Sequence, residues 1–268
     1  MVLVFSVAVL LGLLIHRVEV RRGLIDDRDR RLVGDGMSSA LGFLGGSAAF
    51  LLGVLMLTSM DHYHATEDAV DAEAISYAAA YENVEGLAVP DQAKIQRDLA
   101  CLMRSVATNS WSETQKGNVA GSKETHAWRA RVRDDVNAVE PKTAGQENSL
   151  SSLQSELVDA AKSGQHRLLS AEDHLPTVLW VLVYVSVFVL TTTLTLLLVP
   201  YPVLAVTTLT AVLVLSAAMV WTLTAFAQPF TEGDAVFISP RSLNAVLARM
   251  QDTNPDADWG PCEQLRAS

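Results

Sequence analysis

The chain has 268 residues, half of which are hydrophobic, and a formal net charge of −10 at pH 7. Such an acidic chain lacks the basic surface that displaces phosphate counterions, so we expect no nucleic-acid partner. Its apolar residues are gathered into four blocks around a polar middle, whereas a soluble protein would distribute them at helical or strand periods. This arrangement predicts an integral membrane protein whose immediate partner is the lipid bilayer.

The first block, residues 1–15, has the sequence MVLVFSVAVLLGLLI. No basic residue precedes it and no small-residue cleavage site follows it, so we interpret it as a first transmembrane helix rather than a signal peptide. It is short for a span, but a tilt or a local thinning of the bilayer accommodates that length.

Residues 16–40 form a predicted Arg-rich loop that contains six arginines. The flanks on the opposite side of the membrane are poor in Lys and Arg. Basic residues concentrate in cytoplasmic loops, so we expect this loop in the cytoplasm, with the middle domain and both termini on the other side.

Three further uncharged blocks predict the second, third and fourth transmembrane helices at residues 41–60, 177–199 and 203–227. Each is long enough to cross the hydrocarbon layer. The last two are separated only by a Pro-Tyr-Pro link and are therefore expected to form an antiparallel hairpin. The predicted fold is an all-α integral membrane protein with four transmembrane helices and a helical polar domain between spans two and three.

The helical extramembrane domain is predicted at residues 61–176. Apolar residues at helical spacing place its helices at about 66–85, 90–111, 123–139 and 147–169. Residues 228–268 form a C-terminal tail with one short helix and a disordered end. Cys101 and Cys262 are expected to be free thiols, although a disulfide is the alternative if both face an oxidising compartment.

Small residues spaced four apart mark two rows on the second span. One row holds Gly42 and Gly46, and the other holds Gly45, Ala49 and Gly53. Such rows let helix backbones approach closely, either within one subunit or between subunits.

Hydroxyl side chains are frequent in the third and fourth spans, and four of them are candidate pore-lining groups: Thr191, Thr195, Thr208 and Ser216. They could offer hydrogen bonds to a dehydrating anion, or they could bond to their own helix carbonyls. The spans contain no charged residue, which disfavours an ion-coupled transporter.

A catalytic motif is lacking, since neither a Gly-x-Ser-x-Gly turn nor a phosphate-binding glycine loop occurs. We therefore expect neither an enzyme nor a cofactor. His62, His64 and Asp68 are a weak candidate for a metal site, but a polar cluster at a membrane surface explains them better, and we expect no metal.

The order of several local motifs resembles the bestrophin-like family of bacterial membrane proteins. The matching residues are Glu73, Ala74, Trp111, Arg167, Leu175, Pro176, Trp180, Pro229 and Phe230. The chain departs from the family at two places: Ser110 stands before Trp111 where an acid is expected, and Ala227 and Gln228 stand where relatives often carry an acid shortly before the Pro-Phe pair. The resemblance implies a protein of the bacterial plasma membrane, similar to anion channels that assemble as pentamers and have a cytoplasmic soluble part. That last implication conflicts with the orientation predicted from arginine.

The function predicted from these features is an oligomeric bestrophin-like membrane protein that acts as a passive anion channel. The alternative is a non-transporting membrane scaffold or sensor. Its middle domain would bind a protein partner, with the helix at 147–169 as the contact surface.

Overall fold

A computed structural model of the chain describes residues 2–22, 27–172, 177–198, 202–230, 236–255, 259 and 262. These ranges contain helices and no strand, which confirms the all-α prediction. A π-helical turn spans Val106–Ser110. The helices are α1 (Val2–Arg22), α2 (Asp27–Val84), α3 (Val89–Ser105), α4 (Trp111–Gln115), α5 (Lys123–Asn137), α6 (Ala144–Glu172), α7 (Thr177–Leu198), α8 (Pro202–Ala227) and α9 (Arg241–Thr253).

The chain divides into two compact units. The first, called the apolar unit here, comprises Met1–Asp61 and Leu175–Ala227. The second, called the polar unit, comprises His62–His174 and Gln228–Ser268. The segment after α8 therefore belongs to the same unit as the middle of the chain, whereas a separate C-terminal tail was predicted from the sequence.

In the apolar unit, α7 packs against α1 and α8. The contact with α1 is close, because a Cβ added to Gly12 would lie 2.8 Å from Cβ of Thr195. A small apolar core forms from Leu55, Val183 and Leu223. Among the described residues, α2, α7 and α8 contain stretches that are long and apolar enough to cross a membrane. The run Leu3–Val18 in α1 is shorter, so the fourth span remains a prediction.

Helix α2 differs from the sequence prediction at both ends of its span. It begins at Asp27, within the predicted loop 16–40, and α1 extends to Arg22. It then continues past residue 60 to Val84 as one helix, where two separate helices were expected. Hydropathy marks where a chain meets lipid, whereas helix ends depend on caps and breakers, and no proline interrupts this segment.

In the polar unit, buried apolar residues of α2, α3, α5, α6 and α9 form a common core. Leu99, Leu153 and Leu243 are completely buried representatives from three of these helices. Pro90 lies in the first turn of α3, where its missing N–H has no intrahelical partner to lose. Ser122 caps α5 by accepting a hydrogen bond from the backbone N–H of Thr125 at 3.5 Å.

The two cysteines form a disulfide, so the expectation of free thiols was wrong. Cys101 lies in α3 and Cys262 follows α9, with their Cα atoms 5.6 Å apart. Trp259 nearby stacks on Tyr81 with ring centroids 6.2 Å apart, and its carbonyl oxygen accepts a hydrogen bond from Arg104 at 3.1 Å. The spacing of two cysteines 161 residues apart gave no signal for pairing, because their proximity depends on the fold.

Candidate functional site

The polar unit encloses a buried ion pair between Glu73 of α2 and Arg167 of α6. Both side chains are completely buried, and Nε of Arg167 donates to Oε2 of Glu73 at 2.9 Å. Burial of two charges costs several kcal/mol per ion, so such a pair persists only when the remaining hydrogen-bonding groups are also satisfied. The stability of the pair therefore depends on the hydrogen-bond partners of the remaining Arg167 nitrogens.

Both remaining nitrogens of the Arg167 guanidinium donate to hydroxyl groups. Nη1 donates to Oγ1 of Thr114, and Nη2 donates to Oγ of Ser110 at 3.2 Å. Thr114 in turn donates its hydroxyl hydrogen to the backbone carbonyl of Ser110 at 2.9 Å. The π-helical turn ends at Ser110, and such turns are frequent at functional sites. Ser110 occupies the position where the resemblance led us to expect an acid, so Arg167 meets a neutral oxygen there.

Two aromatic rings complete the enclosure of Arg167. Its guanidinium carbon lies 5.3 Å from the ring centroid of Trp111, within the range of a cation–π interaction. Phe230 packs edge-on against Trp111, with centroids 5.5 Å apart. Four of the family-matching residues, from distant parts of the sequence, are thus brought together in one cluster that we call the Glu73–Arg167 cluster.

Arg129 of α5 adds a second cation to this cluster, and it is not among the site residues predicted from the sequence. Its Nη2 lies 3.4 Å from Oε1 of Glu73. Gly164 of α6 makes this approach possible, since a Cβ there would clash with Oε1 of Glu73 and lie 2.8 Å from Nη2 of Arg129. An isolated glycine inside a helical pattern is the one sequence signal that could have indicated a close approach.

The cluster is suited to holding helices in position rather than to proton transfer. A guanidinium stays protonated in proteins, and Arg167 is fixed on three sides by Glu73, Ser110 and Thr114. One carboxylate shared by two guanidiniums leaves a formal excess of one positive charge. The cluster therefore provides a rigid, electropositive core that joins α2, α4, α5 and α6.

The other family-matching residues are distributed as follows. Ala74 and Pro229 are buried in the polar unit, and the carbonyl of Pro229 accepts from the backbone N–H of Ile238 at 2.8 Å. Trp180 belongs to the apolar unit, where it stacks on Tyr184 with centroids 6.2 Å apart. Leu175 and Pro176 lie outside the described residues.

A second charged network lies on α3 and α5. Arg131 bonds Asp98 at 3.0 Å, and Lys94 bonds Asp135 at 2.5 Å. Burial, followed by a hydrogen bond to Asp135, raises the pKa of the Asp98 carboxyl to about 6. The neighbouring Asp135 has a lowered pKa; its own burial opposes this shift, and hydrogen bonds to Asp98 and Lys94 outweigh it. The Asp98 carboxyl is therefore expected to titrate at mildly acidic pH.

The two small-residue rows of α2 face different surroundings. Gly45 faces α7, because an added Cβ would lie 3.9 Å from Cδ1 of Leu190. At Gly42, Gly46 and Gly53, an added Cβ would meet open space in the described part of the chain. Ala49 is exposed. Phe43 and Phe50, which flank the Gly42–Gly46 row, are 75% and 71% exposed. This face is thus left uncovered by the chain's own helices.

The candidate pore-lining hydroxyls lie in two environments. Thr191 and Thr195 are buried, and Thr195 packs against Gly12 of α1. Thr208 and Ser216 of α8 are half-buried. Several threonine hydroxyls in these helices donate to their own helix carbonyls, as Thr195 does to Thr191 at 2.8 Å, which is the alternative that the sequence left open.

The candidate metal residues do not form a metal centre in the described ranges, which contain no group of three or more His, Cys, Asp or Glu side chains arranged for an ion. Nδ1 of His64 lies 3.6 Å from Oε2 of Glu67, and both side chains are about half exposed. The carbonyl of His62 accepts from the hydroxyl of Thr66 at 2.8 Å. The weak metal assignment at His62, His64 and Asp68 therefore has no geometric support.

These features define an all-helical membrane protein whose polar unit is built around a buried glutamate–arginine pair. A family model, the Bestrophin-like domain, matches residues 2–241. The chain belongs to the bestrophin-like family. No curated protein matches the sequence at a significant level.

The fold is similar to that of a bacterial bestrophin homologue from Klebsiella pneumoniae, seen in two solved structures that each carry a different point mutation. Both superpose with a TM-score of 0.70 at 12% sequence identity and cover 94% of this chain. The alignments cover 98% and 97% of the respective relatives. At this identity the likeness establishes the fold alone.

Proposed function

We propose that the protein is an oligomeric, passive anion channel of the bacterial plasma membrane. The observation that carries this proposal is the uncovered face of α2, where Gly42 and Gly46 meet open space between two exposed phenylalanines. A helix face of small residues favours close contact with another helix, and a second copy of the chain would supply one. The resemblance to bestrophins suggests the pore and its selectivity for anions.

The experiment compares two adjacent glycines. Gly46→Leu places a side chain into the open face of α2, whereas Gly45→Leu places one against Leu190 of α7 in the same chain. Native mass spectrometry of the wild type should give a closed ring of about five chains, and chloride should leave proteoliposomes without an energy source. Gly46→Leu should lower the subunit count and the flux while the helical content measured by circular dichroism stays unchanged. A wild-type ring in Gly46→Leu would contradict the proposed contact.

We further propose that the polar unit lies on the extracytoplasmic side. The six arginines within residues 16–40 favour a cytoplasmic location for that segment. The Cys101–Cys262 disulfide favours an oxidising compartment for the polar unit. A membrane-impermeant reductant followed by a maleimide should therefore label both cysteines in intact spheroplasts. Labelling that needs lysis would place the unit in the cytoplasm, as the bestrophin resemblance implies.

The second candidate function is a membrane scaffold or sensor. It is favoured by exposed apolar residues on α6, where Val158 is 53% and Leu169 is 52% exposed. A protein partner bound through the polar unit would cover them. A monomer or dimer without chloride flux would favour this function over the channel.

A further inference from the structure

A cavity with a volume of about 660 Å³ opens between α5 and α6 of the polar unit. The apolar side chains that present accessible surface to it lie on α6 and are Leu157, Val158 and Ala161. Pockets that bind small molecules have this size, a mostly apolar wall and a few polar groups. The cavity therefore has the dimensions and the lining of a ligand site rather than of a packing defect.

The charged side chains that line this cavity are cationic, and no acidic side chain is among the described lining residues. Arg129 lies at the wall with 20% of its side chain exposed. Arg133 is exposed, and Asp134 lies 3.8 Å from it in a solvent-exposed pair, which contributes little attraction. An anion entering the cavity thus meets two guanidiniums and no negative charge on the wall.

Arg129 shares the carboxylate of Glu73 with Arg167. Its partner Glu73 already accepts the shorter bond, at 2.9 Å, from Arg167, and Arg129 is 3.4 Å away. The Nε of Arg129 is buried and has no hydrogen-bond partner among the described atoms. A bound anion would supply the missing negative charge, and its bonds to a guanidinium would be of the strong, charge-assisted kind.

We infer that this cavity binds a small organic carboxylate with an apolar body. The carboxylate pairs with Arg129, and the apolar body contacts Leu157, Val158 and Ala161. An inorganic anion would pair with the guanidinium but make no contact with the apolar side chains of the cavity. A neutral apolar molecule would make those contacts but would not pair with the guanidinium. The inference concerns the polar unit alone and does not depend on the channel proposal.

The test uses the full-length protein in lipid nanodiscs and isothermal titration with phenylacetate, at a fixed excess of chloride. Its uncharged isostere, phenylacetamide, is the matched ligand control. Phenylacetate should bind saturably, once per chain, and at least tenfold more tightly than phenylacetamide. Equal affinities, or no saturable binding of phenylacetate to the wild type, would overturn the inference.

Two variants locate the site. Ala161→Phe fills the cavity from α6 and leaves the Glu73–Arg167 cluster unchanged, and it should abolish binding. Lys162→Gln removes an exposed cation on the next residue of the same helix and should bind as the wild type does. Arg129→Gln should lose the preference for phenylacetate over phenylacetamide.

The outcomes separate this cavity from a pore. A pore site in the apolar unit would still bind phenylacetate in Ala161→Phe, and such a result in a folded variant would overturn the inference. Binding that is lost in Ala161→Phe supports the cavity, even if proteoliposomes show no chloride flux and the channel proposal fails. Ala161→Phe also keeps the test decisive if Arg129→Gln does not fold.

Discussion

Neutralising the carboxylate of the buried pair is the sharpest perturbation that the structure offers. Glu73→Gln preserves the size of the side chain but leaves Arg167, which is completely buried, without a counter-charge. Removal of one partner from a buried ion pair costs about 3–5 kcal/mol, because the other charge stays desolvated. For the polar unit, with roughly 150 residues, this corresponds to a fall in Tm of about 6–20 °C.

The assay is thermal unfolding of the detergent-purified protein, followed by tryptophan emission. Glu82→Gln is the matched control, since it makes the same change on the same helix but affects an exposed pair with Arg249 at 4.0 Å. We expect no measurable change in that control. The double variant Glu73→Gln/Arg167→Met should recover part of the loss, because it removes the two completely buried charges, whereas Arg129 still loses its partner Glu73. If Glu73→Gln unfolds at the same temperature as Glu82→Gln, the pair does not hold the polar unit together.

Three further results are expected. Gly164→Ala should lower the Tm in the same assay, because its Cβ would displace Glu73 and Arg129, whereas Gly145→Ala on the same helix, where an added Cβ has room, should not. Cys101→Ala should cost about 2–4 kcal/mol in urea unfolding relative to the oxidised wild type, and a reductant should then have no further effect; equal stabilities would contradict this. Because the folded state raises the pKa of Asp98 to about 6, its stabilising contribution is lost as the pH rises through that value. The Tm of Asp98→Asn minus the Tm of the wild type should therefore increase as the pH is raised from 5 to 7.5. A difference that stays constant over this range would show that Asp98 does not titrate there.

The helices of the polar unit were predictable to within a few residues, because apolar positions recur at helical spacing and Pro90 and Gly86 punctuate the chain. The continuity of α2 was not predictable, since the change from apolar to charged residues at Asp61 looks like an end although nothing breaks the helix there. A change from apolar to charged residues thus indicates where a helix leaves the lipid, but it does not indicate where the helix ends.

The components of the candidate site were only partly accessible from the sequence. Glu73, Trp111 and Arg167 were singled out by resemblance, but no spacing rule could show that they meet, because up to 94 residues separate them. Arg129 lies on a helix with several other charged residues, among them the solvent-exposed pair Arg133 and Asp134, so its charge alone does not set it apart. Its partial burial depends on Gly164 across the unit, and a tertiary contact of this kind has no local signature.

The position of the two cysteines in the chain also determines when the disulfide can form during synthesis of the protein. Cys101 precedes α7 and α8 in the chain, and Cys262 follows them. The two thiols can meet only after both of these helices have been synthesised, and the proposed topology returns the chain after α8 to the compartment of Cys101. A chain with the disulfide has therefore completed both helices. Because maleimide reacts only with free thiols, the fraction of newly made chains that are not labelled measures how often both helices have been completed.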